Sequence, residues 1–125
     1  MIDHIDHVVL TTRDLDSCLH FYSEILGMKR ETFAGGRIAL RFGSQKINIH
    51  EWGKEFTPRA QVAAPGTLDL CFIASISLEE VVSRLKSAKI EILEGPVMKS
   101  GATSKIRSVY VRDPDLNLVE ISVPA

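Results

Sequence analysis

The stretch "DHVVLTTRDLDSCLHFYSEILG", residues 6–27, joins a strand-like segment directly to a helical one. Its first part is rich in β-branched residues, which favour a strand that is buried on both faces. In its second part, apolar residues recur three and four positions apart, as on one face of an α-helix. These residues are Leu15, Cys18, Leu19, Tyr22, Ile25 and Leu26. Asp14 suits the N-cap and Gly27 the position just past the helix end, so the chain begins with a β-α unit.

Three short strands are predicted after this helix. They cover residues 28–34, 37–42 and 46–51. Gly35-Gly36 between the first two is a hairpin signal, and Gly43-Ser44 forms the next turn. The first module, residues 1–52, therefore has the order β-α-β-β-β.

The same order recurs further along the chain. Residues 53–66 contain prolines and glycines without any periodicity, and we predict a linker there. Module two, residues 67–125, begins with the strand "TLDLCFIA" and continues with a helix in which Ser77 and Glu80 have capping-box spacing. Three strands complete it: "IEILEGPV", "KIRSVYVR" and "NLVEISV". One common offset relates His7 to Asp69 and the predicted helix ends to each other, which indicates an internal duplication.

Composition and charge exclude several classes of protein. The chain has 125 residues, of which 45% are hydrophobic and 25% charged, as expected for one globular domain. A net charge of −1 predicts no nucleic-acid partner. No apolar stretch approaches the roughly 20 residues that cross a bilayer, and the N-terminus lacks the pattern of a signal peptide. We therefore expect a cytoplasmic protein without a membrane partner.

Polar residues interrupt several otherwise apolar strands. Burying a carboxylate or an imidazole without a partner is costly, so such residues indicate a site. The interrupting residues are His7, Asn48, His50, Asp69 and Glu120. In the duplication His7 matches Asp69, while Asn48 or His50 matches Glu120. We therefore predict one shared cleft with His7, His50, Asp69 and Glu120 as ligands of Mn, Ni, Zn or Fe, leaving Asn48 as the alternative to His50.

The chain resembles a known family along its whole length. The resemblance rests on the duplicated βαβββ order, the histidine in "DHVVL", the helix "FYSEILGM" and the ending "YVRDPDLNLVEI". Together they look like the vicinal oxygen chelate superfamily, which includes glyoxalase I, extradiol dioxygenases and bleomycin-resistance proteins. "FGSQKINIHEWGKEF" further resembles the branch called glyoxalase domain-containing protein 5. The resemblance implies an α+β fold in which two tandem βαβββ modules form a cup-shaped mixed sheet.

The resemblance also implies a chemistry. One divalent metal would act as a Lewis acid on a small substrate that chelates it through adjacent oxygens. His7 and Glu120 match the ligands of the first and last strands, and Glu120 would also serve as the catalytic base. Tyr110 matches a tyrosine near the substrate, and Arg107 or Lys105 could hold an anionic substrate group. The sequence departs from the family at Asp69, where metal-active members usually carry histidine.

Three functions follow as alternatives. The first is a metal-dependent lyase, isomerase or thiol transferase, similar to lactoylglutathione lyase. The second is a metal-free module of the bleomycin-resistance type, which sequesters a small molecule. The third is a virulence- or stress-linked protein with a degenerate site. We expect a homodimer, with modules paired either within a chain or across the dimer, since half-barrels leave sheet edges that need cover.

Overall fold

The computed structural model describes all residues, Met1–Ala125, and divides into two compact units. Unit 1 is Met1–Thr67 and unit 2 is Leu68–Ala125. Each unit is one four-stranded mixed sheet with one helical segment, so the α+β fold class and the duplicated βαβββ order are confirmed. No helix or strand lies between Glu51 and Asp69. Neither helical segment has the length and hydropathy of a membrane span.

Unit 1 contains four strands in the spatial order β1-β4-β3-β2. The strands are β1 (His7–Thr12), β2 (Lys29–Phe33), β3 (Arg37–Phe42) and β4 (Gln45–Glu51). β1 pairs with β4 in parallel, and the other neighbours are antiparallel. One sheet face carries fully buried apolar residues, Leu10, Leu40 and Ile47 among them. Because side chains alternate along a strand, the other face holds His7, Asn48 and His50.

The helical segment of unit 1 differs from a regular α-helix. α1 (Leu15–Leu19) begins at Asp14, whose carboxylate accepts the Ser17 N–H, as an N-cap does. Residues His20–Ile25 then continue it as a π-helix, in which Leu26 N–H donates to Phe21 C=O. The π-turn shifts the inward face, so the adjacent residues Phe21 and Tyr22 are both buried. A pattern based on the α-helical period places only Tyr22 inside.

Unit 2 repeats the arrangement with the strand order β5-β8-β7-β6. Its strands are β5 (Asp69–Ile73), β6 (Glu94–Ser100), β7 (Lys105–Arg112) and β8 (Leu118–Pro124). β5 pairs with β8 in parallel, and α2 (Leu78–Ser87) packs against β7 and β8. Ser77 caps α2 by accepting the Glu80 N–H. β6 starts later than predicted. It carries a bulge between Glu94 and Val97, where Pro96 has no N–H for the ladder.

Candidate functional site

The polar residues of unit 1 lie on one face of its sheet. β1 and β4 pair with His7 opposite Lys46, Val9 opposite Asn48 and Thr11 opposite His50. At about 3.3 Å per residue, His50 lies roughly 13 Å along the strands from the level of His7, and Asn48 roughly 7 Å. Continuing the β3–β4 ladder by one residue beyond its pair Ile38–Ile49 places Arg37 opposite His50 on the same face.

His50 is buried and both of its ring nitrogens lack a hydrogen-bond partner. It is 4% exposed, and Asn48, which is 6% exposed, also has an unpartnered side-chain oxygen. Burial lowers the pKa of His50, and the positive charge of Arg37 lowers it further, so the imidazole is neutral at neutral pH. Buried polar atoms normally form hydrogen bonds. These atoms form none within the protein, so they are available to bind a ligand.

His7 has a different environment. Its side chain is 43% exposed, and its Nδ1 lies 2.8 Å from the Asp6 carboxylate. A carboxylate on one ring nitrogen fixes the tautomer of a histidine and leaves the other nitrogen available, as in many metal sites. His7 therefore has the chemistry of a ligand, although Asp6 and His7 lie at an exposed strand start.

The ladder registers identify equivalent positions in the two units. Asn48 lies opposite Val9, and Glu120 lies opposite Cys71. Val9 and Cys71 are themselves equivalent, because each follows the matched residue, His7 or Asp69, by two positions. Asn48 is therefore the structural counterpart of Glu120. By the same registers His50 corresponds to Ser122 of unit 2.

In unit 2, Glu120 is held by hydroxyl groups. Ser108 Oγ donates to Glu120 Oε2 at 2.5 Å, and Ser122 Oγ lies 3.3 Å from the same oxygen. The two hydroxyl oxygens are 2.7 Å apart, and Cys71 Sγ lies 3.4 Å from Ser122 Oγ. Because each hydroxyl has one proton, these bonds form a chain that runs from Cys71 through both serines to the carboxylate. The chain fixes one oxygen of Glu120.

Tyr110 lies directly opposite Glu120 in the β7–β8 ladder. Burial raises the pKa of Tyr110 to about 12, and the negative charge of Glu120 contributes to the same shift. The hydroxyl is therefore protonated throughout the physiological pH range and can donate a hydrogen bond. Tyr110 and Glu120, the two predicted catalytic residues, are neighbours on one sheet face.

The remaining predicted residues of unit 2 lie apart from Glu120. Asp69 is exposed and pairs with Leu118, two positions from Glu120. Arg107 and Lys105 alternate with Tyr110 along β7, so their side chains leave the opposite face of the sheet. Arg107 lies 3.7 Å from Glu79 of α2, and Lys105 Nζ lies 3.4 Å from Ser100 Oγ. The structure does not bring either cation to Glu120.

No group of three or more His, Cys, Asp and Glu side chains with the geometry to hold a metal ion is present in unit 1 or in unit 2. Sequence reasoning missed the serine hydroxyls, although Ser108 and Ser122 alternate with Tyr110 and Glu120 on their strands. It also missed Arg37, which belongs to the His50 face. The alternation of side chains between the two faces of a strand could have identified Ser108, Ser122 and Arg37.

The "DPDLN" turn has a structural role. The Asp113 carboxylate accepts hydrogen bonds from the N–H groups of Asp115 and Asn117 and from the Asn117 side-chain amide. Asn117 Oδ1 in turn accepts the Leu68 N–H at 2.9 Å. The turn thereby sets the start of β8 and the level of Glu120.

The combination of a duplicated βαβββ unit and polar strand faces defines a known class of protein. Residues 4–121 match the family model for the Glyoxalase/Bleomycin resistance protein/Dioxygenase superfamily. The chain belongs to this superfamily. It is 52% identical over 122 residues to Virulence protein STM3117 of Salmonella typhimurium, covering 98% of this chain and 85% of that protein.

Two further comparisons agree with this membership. The crystal structure of STM3117 superposes with a TM-score of 0.97 at 50% identity, covering 100% of this chain and 99% of that one. Glyoxalase domain-containing protein RDO1 of Mycosarcoma maydis is 49% identical over 118 residues, which is 94% of this chain and 66% of that protein. The chain thus spans somewhat less than two thirds of RDO1.

More distant structures share the fold. They include a lactoylglutathione lyase from Agrobacterium tumefaciens at 22% identity (98% of this chain, 95% of that one) and the antibiotic-binding protein TnmS3 from Streptomyces at 18% (99% and 98%). Each superposes with a TM-score of 0.75. One is an enzyme by name and the other a binding protein, so the fold alone does not select between these functions.

Proposed function

We propose that the chain is a divalent-metal-dependent enzyme of the glyoxalase I-like class, acting on a small substrate with adjacent oxygen atoms. The observation that carries this proposal is the fixed carboxylate of Glu120. Ser108 donates a hydrogen bond to one oxygen and is itself hydrogen-bonded to Ser122, and a protonated Tyr110 lies on the neighbouring strand. A general base needs such positioning, whereas a solvated strand-end glutamate would not be held by hydroxyl groups.

The chemistry of several residues fits a metal. Our ligand candidates are His7, His50, Asp69 and Glu120. His50 is neutral, buried and unpartnered, as an unoccupied imidazole ligand would be. His7 has the carboxylate partner typical of metal-binding histidines. A bound divalent metal, Mn, Ni, Zn or Fe, would supply Lewis acidity that acidifies the carbon next to a chelated carbonyl.

The residues of the chain then have separate tasks in proton transfer. Glu120 would take the proton from the carbon next to the carbonyl and return it to the former carbonyl carbon, while the hydroxyl proton passes to the former carbonyl oxygen. Ser108, which is hydrogen-bonded to Ser122, keeps one carboxylate oxygen in place and leaves the other oxygen for proton transfer. Tyr110, protonated at neutral pH, donates a hydrogen bond to a substrate oxygen.

A metal-free binding protein of the bleomycin-resistance type is the second candidate. It is favoured by the exposed Asp69 at a position where metal-active relatives carry histidine, and by the lack of a three-residue ligand group in either unit. Under both candidates we propose a cytoplasmic homodimer with a small-molecule ligand.

Elemental analysis of the purified protein distinguishes the two candidates. We expect one equivalent of metal per chain, lost in His7→Ala and in Glu120→Gln and retained in His20→Ala, which alters an exposed histidine. Comparing His50→Ala with Asn48→Ala identifies the ligand of unit 1. Full occupancy in His7→Ala and Glu120→Gln would refute the ligand set. Failure to bind any added divalent metal would favour the binding protein.

Catalysis is tested with the hemithioacetal of methylglyoxal and glutathione, and with related 2-hydroxycarbonyl compounds. We expect turnover that depends on added metal and falls at least a hundredfold in Glu120→Gln, since general-base catalysis contributes about 10²–10⁴-fold. Equal rates in the wild-type protein and Glu120→Gln would remove Glu120 from the mechanism.

A further inference from the structure

A group of side chains in unit 1 forms a continuous cluster that the proposed proton transfer does not use. Arg37 Cζ lies 4.5 Å from the centre of the Phe56 ring and 5.4 Å from that of Phe33. His50 meets the same Phe56 ring edge-on at 5.5 Å, and Lys46 Nζ lies 3.8 Å from the Phe33 ring centre. We call these five residues the Arg37 cluster. The four strand residues among them lie on the sheet face that also carries Asn48.

Arg37 is a cation of this face that forms no ion pair. Arg41, on the same strand and face, is neutralised by Glu31 at 2.6 Å. Lys46 lowers the pKa of both Glu31 and Asp6, so its charge acts on nearby carboxylates. The neighbour of Arg37 in the sheet is His50, since continuing the β3–β4 ladder places the two residues opposite each other. A guanidinium held between two aromatic rings is positioned for a planar anion.

Glu55, which precedes Phe56 in the chain, is engaged by groups other than Arg37. It accepts the Gly53 N–H at 2.8 Å and lies 3.9 Å from Arg59. Its charge also acts on His50, but it forms no ion pair with Arg37. Glu55 therefore does not neutralise Arg37, and the positive charge of Arg37 is available to a ligand.

The unpartnered atoms point to the same ligand position. Both nitrogens of His50 and the side-chain oxygen of Asn48 are buried without a hydrogen-bond partner, on the face where Arg37 lies. A neutral imidazole can donate one hydrogen bond and accept another. Leaving such atoms empty costs about 1–3 kcal/mol each, so a bound polar ligand is the straightforward explanation of their placement.

We propose that the Arg37 cluster binds a small carboxylate, with the Arg37 guanidinium, held at the two phenylalanine rings, pairing with the carboxylate group and a ring N–H of His50 donating a hydrogen bond to the adjacent oxygen. This inference rests on the proposed function, because it assigns a negative charge to the substrate of that site. Arg37 is thus a specificity-determining residue, and neutral substrates of similar shape are bound weakly.

The test uses oxalate and its uncharged isostere oxamide as probes, with the full-length chain freed of divalent metal by a chelator. Binding is followed by backbone amide chemical shifts at constant ionic strength. We expect oxalate to shift the amides of β3, β4 and Phe56 and oxamide to shift them much less. Arg37→Met, which keeps the aliphatic stem, weakens oxalate binding at least tenfold, and Arg37→Lys restores part of it.

Arg30→Met is the matched control, because Arg30 lies on the opposite face of the same sheet, beside Glu24, and carries the same charge. It leaves oxalate binding within twofold of the wild-type value. Equal affinity for oxalate and oxamide, or equal loss in Arg37→Met and Arg30→Met, would overturn the inference. If Arg37→Met does not fold, Arg37→Lys and the oxamide comparison still decide it. Because no metal is present, the outcome is independent of whether the metal-dependent activity exists.

Discussion

Tyr110 and Glu120 face each other directly across β7 and β8, in a part of unit 2 where the tyrosine is desolvated. The negative carboxylate and the burial both oppose a second negative charge on the phenol. The cross-strand pair therefore keeps Tyr110 as a proton donor beside a carboxylate that accepts protons.

We predict that Tyr110 ionises at a pH of about 12, above the ordinary value of 10.0, and that Glu120→Gln lowers this pKa. The signal is the ultraviolet absorbance of tyrosinate, obtained as the difference between the wild-type protein and Tyr110→Phe. The folded pKa is raised, so the unfolded chain releases the proton first and stability falls as pH rises from 10 to about 12. A pKa that is unchanged in Glu120→Gln would show that the carboxylate does not act on Tyr110.

Ser108→Ala should cost about 1–3 kcal/mol of unfolding free energy, because it removes a fully buried donor to a carboxylate. Urea unfolding measures this loss. Ser104→Ala, in the exposed hairpin, should change stability by less than about 0.5 kcal/mol. In the metal-loaded protein, turnover should fall more in Ser108→Ala than in Ser122→Ala, whose contact with Glu120 is longer at 3.3 Å. The reverse order would contradict the role of Ser108.

His50→Phe should raise the unfolding free energy of the ligand-free protein by about 1–3 kcal/mol, because two buried nitrogens no longer lack partners. The same change should abolish oxalate binding. His20→Phe provides the control, since His20 is exposed, and should leave both quantities nearly unchanged. A large loss of stability in His50→Phe would mean that the imidazole is structural and not reserved for a ligand.

Gly95→Ala should be strongly destabilising. Gly95 has φ of +108°, and a Cβ there would lie 2.3 Å from the Ser108 carbonyl oxygen. Gly35→Ala is the matched control, with φ of +77° and no atom within 4 Å of the added Cβ, so that it carries only the backbone strain of about 1–2 kcal/mol. Thermal unfolding compares the two variants. Equal losses of stability in the two variants would show that the β7 backbone moves at Ser108 to make room for the added Cβ.

Local patterns predicted the elements well, for identifiable reasons. β3 and β7 match their predicted bounds, residues 37–42 and 105–112, because turn residues flank their alternating segments. Asp14 and Ser77 cap their helices as expected, since capping depends on residues within one turn. The late start of β6 and the π-turn at Phe21 depend on packing and ladder geometry, which local patterns do not describe.

The site was predictable only in part. Burying a polar residue in an apolar strand costs free energy unless it has a partner, and this singled out several residues. They are His7, His50, Asp69, Tyr110 and Glu120. Their roles as ligands or catalytic groups stay predictions. The choice between Asn48 and His50 as the counterpart of Glu120 required the pairing of β1 with β4. That register joins residues about 40 positions apart in the chain, and sequence spacing does not specify it.

The sequence by itself determined the duplicated βαβββ order and the superfamily, because periodicity, caps and turns act within a few residues. Only the tertiary structure decided which side chains meet. It brought Ser108 and Ser122 to Glu120, left Arg37 between two rings without an acid, and turned Arg107 toward Glu79 on the opposite face. Strand pairing makes these contacts between distant positions, and the chemistry of the site depends on them.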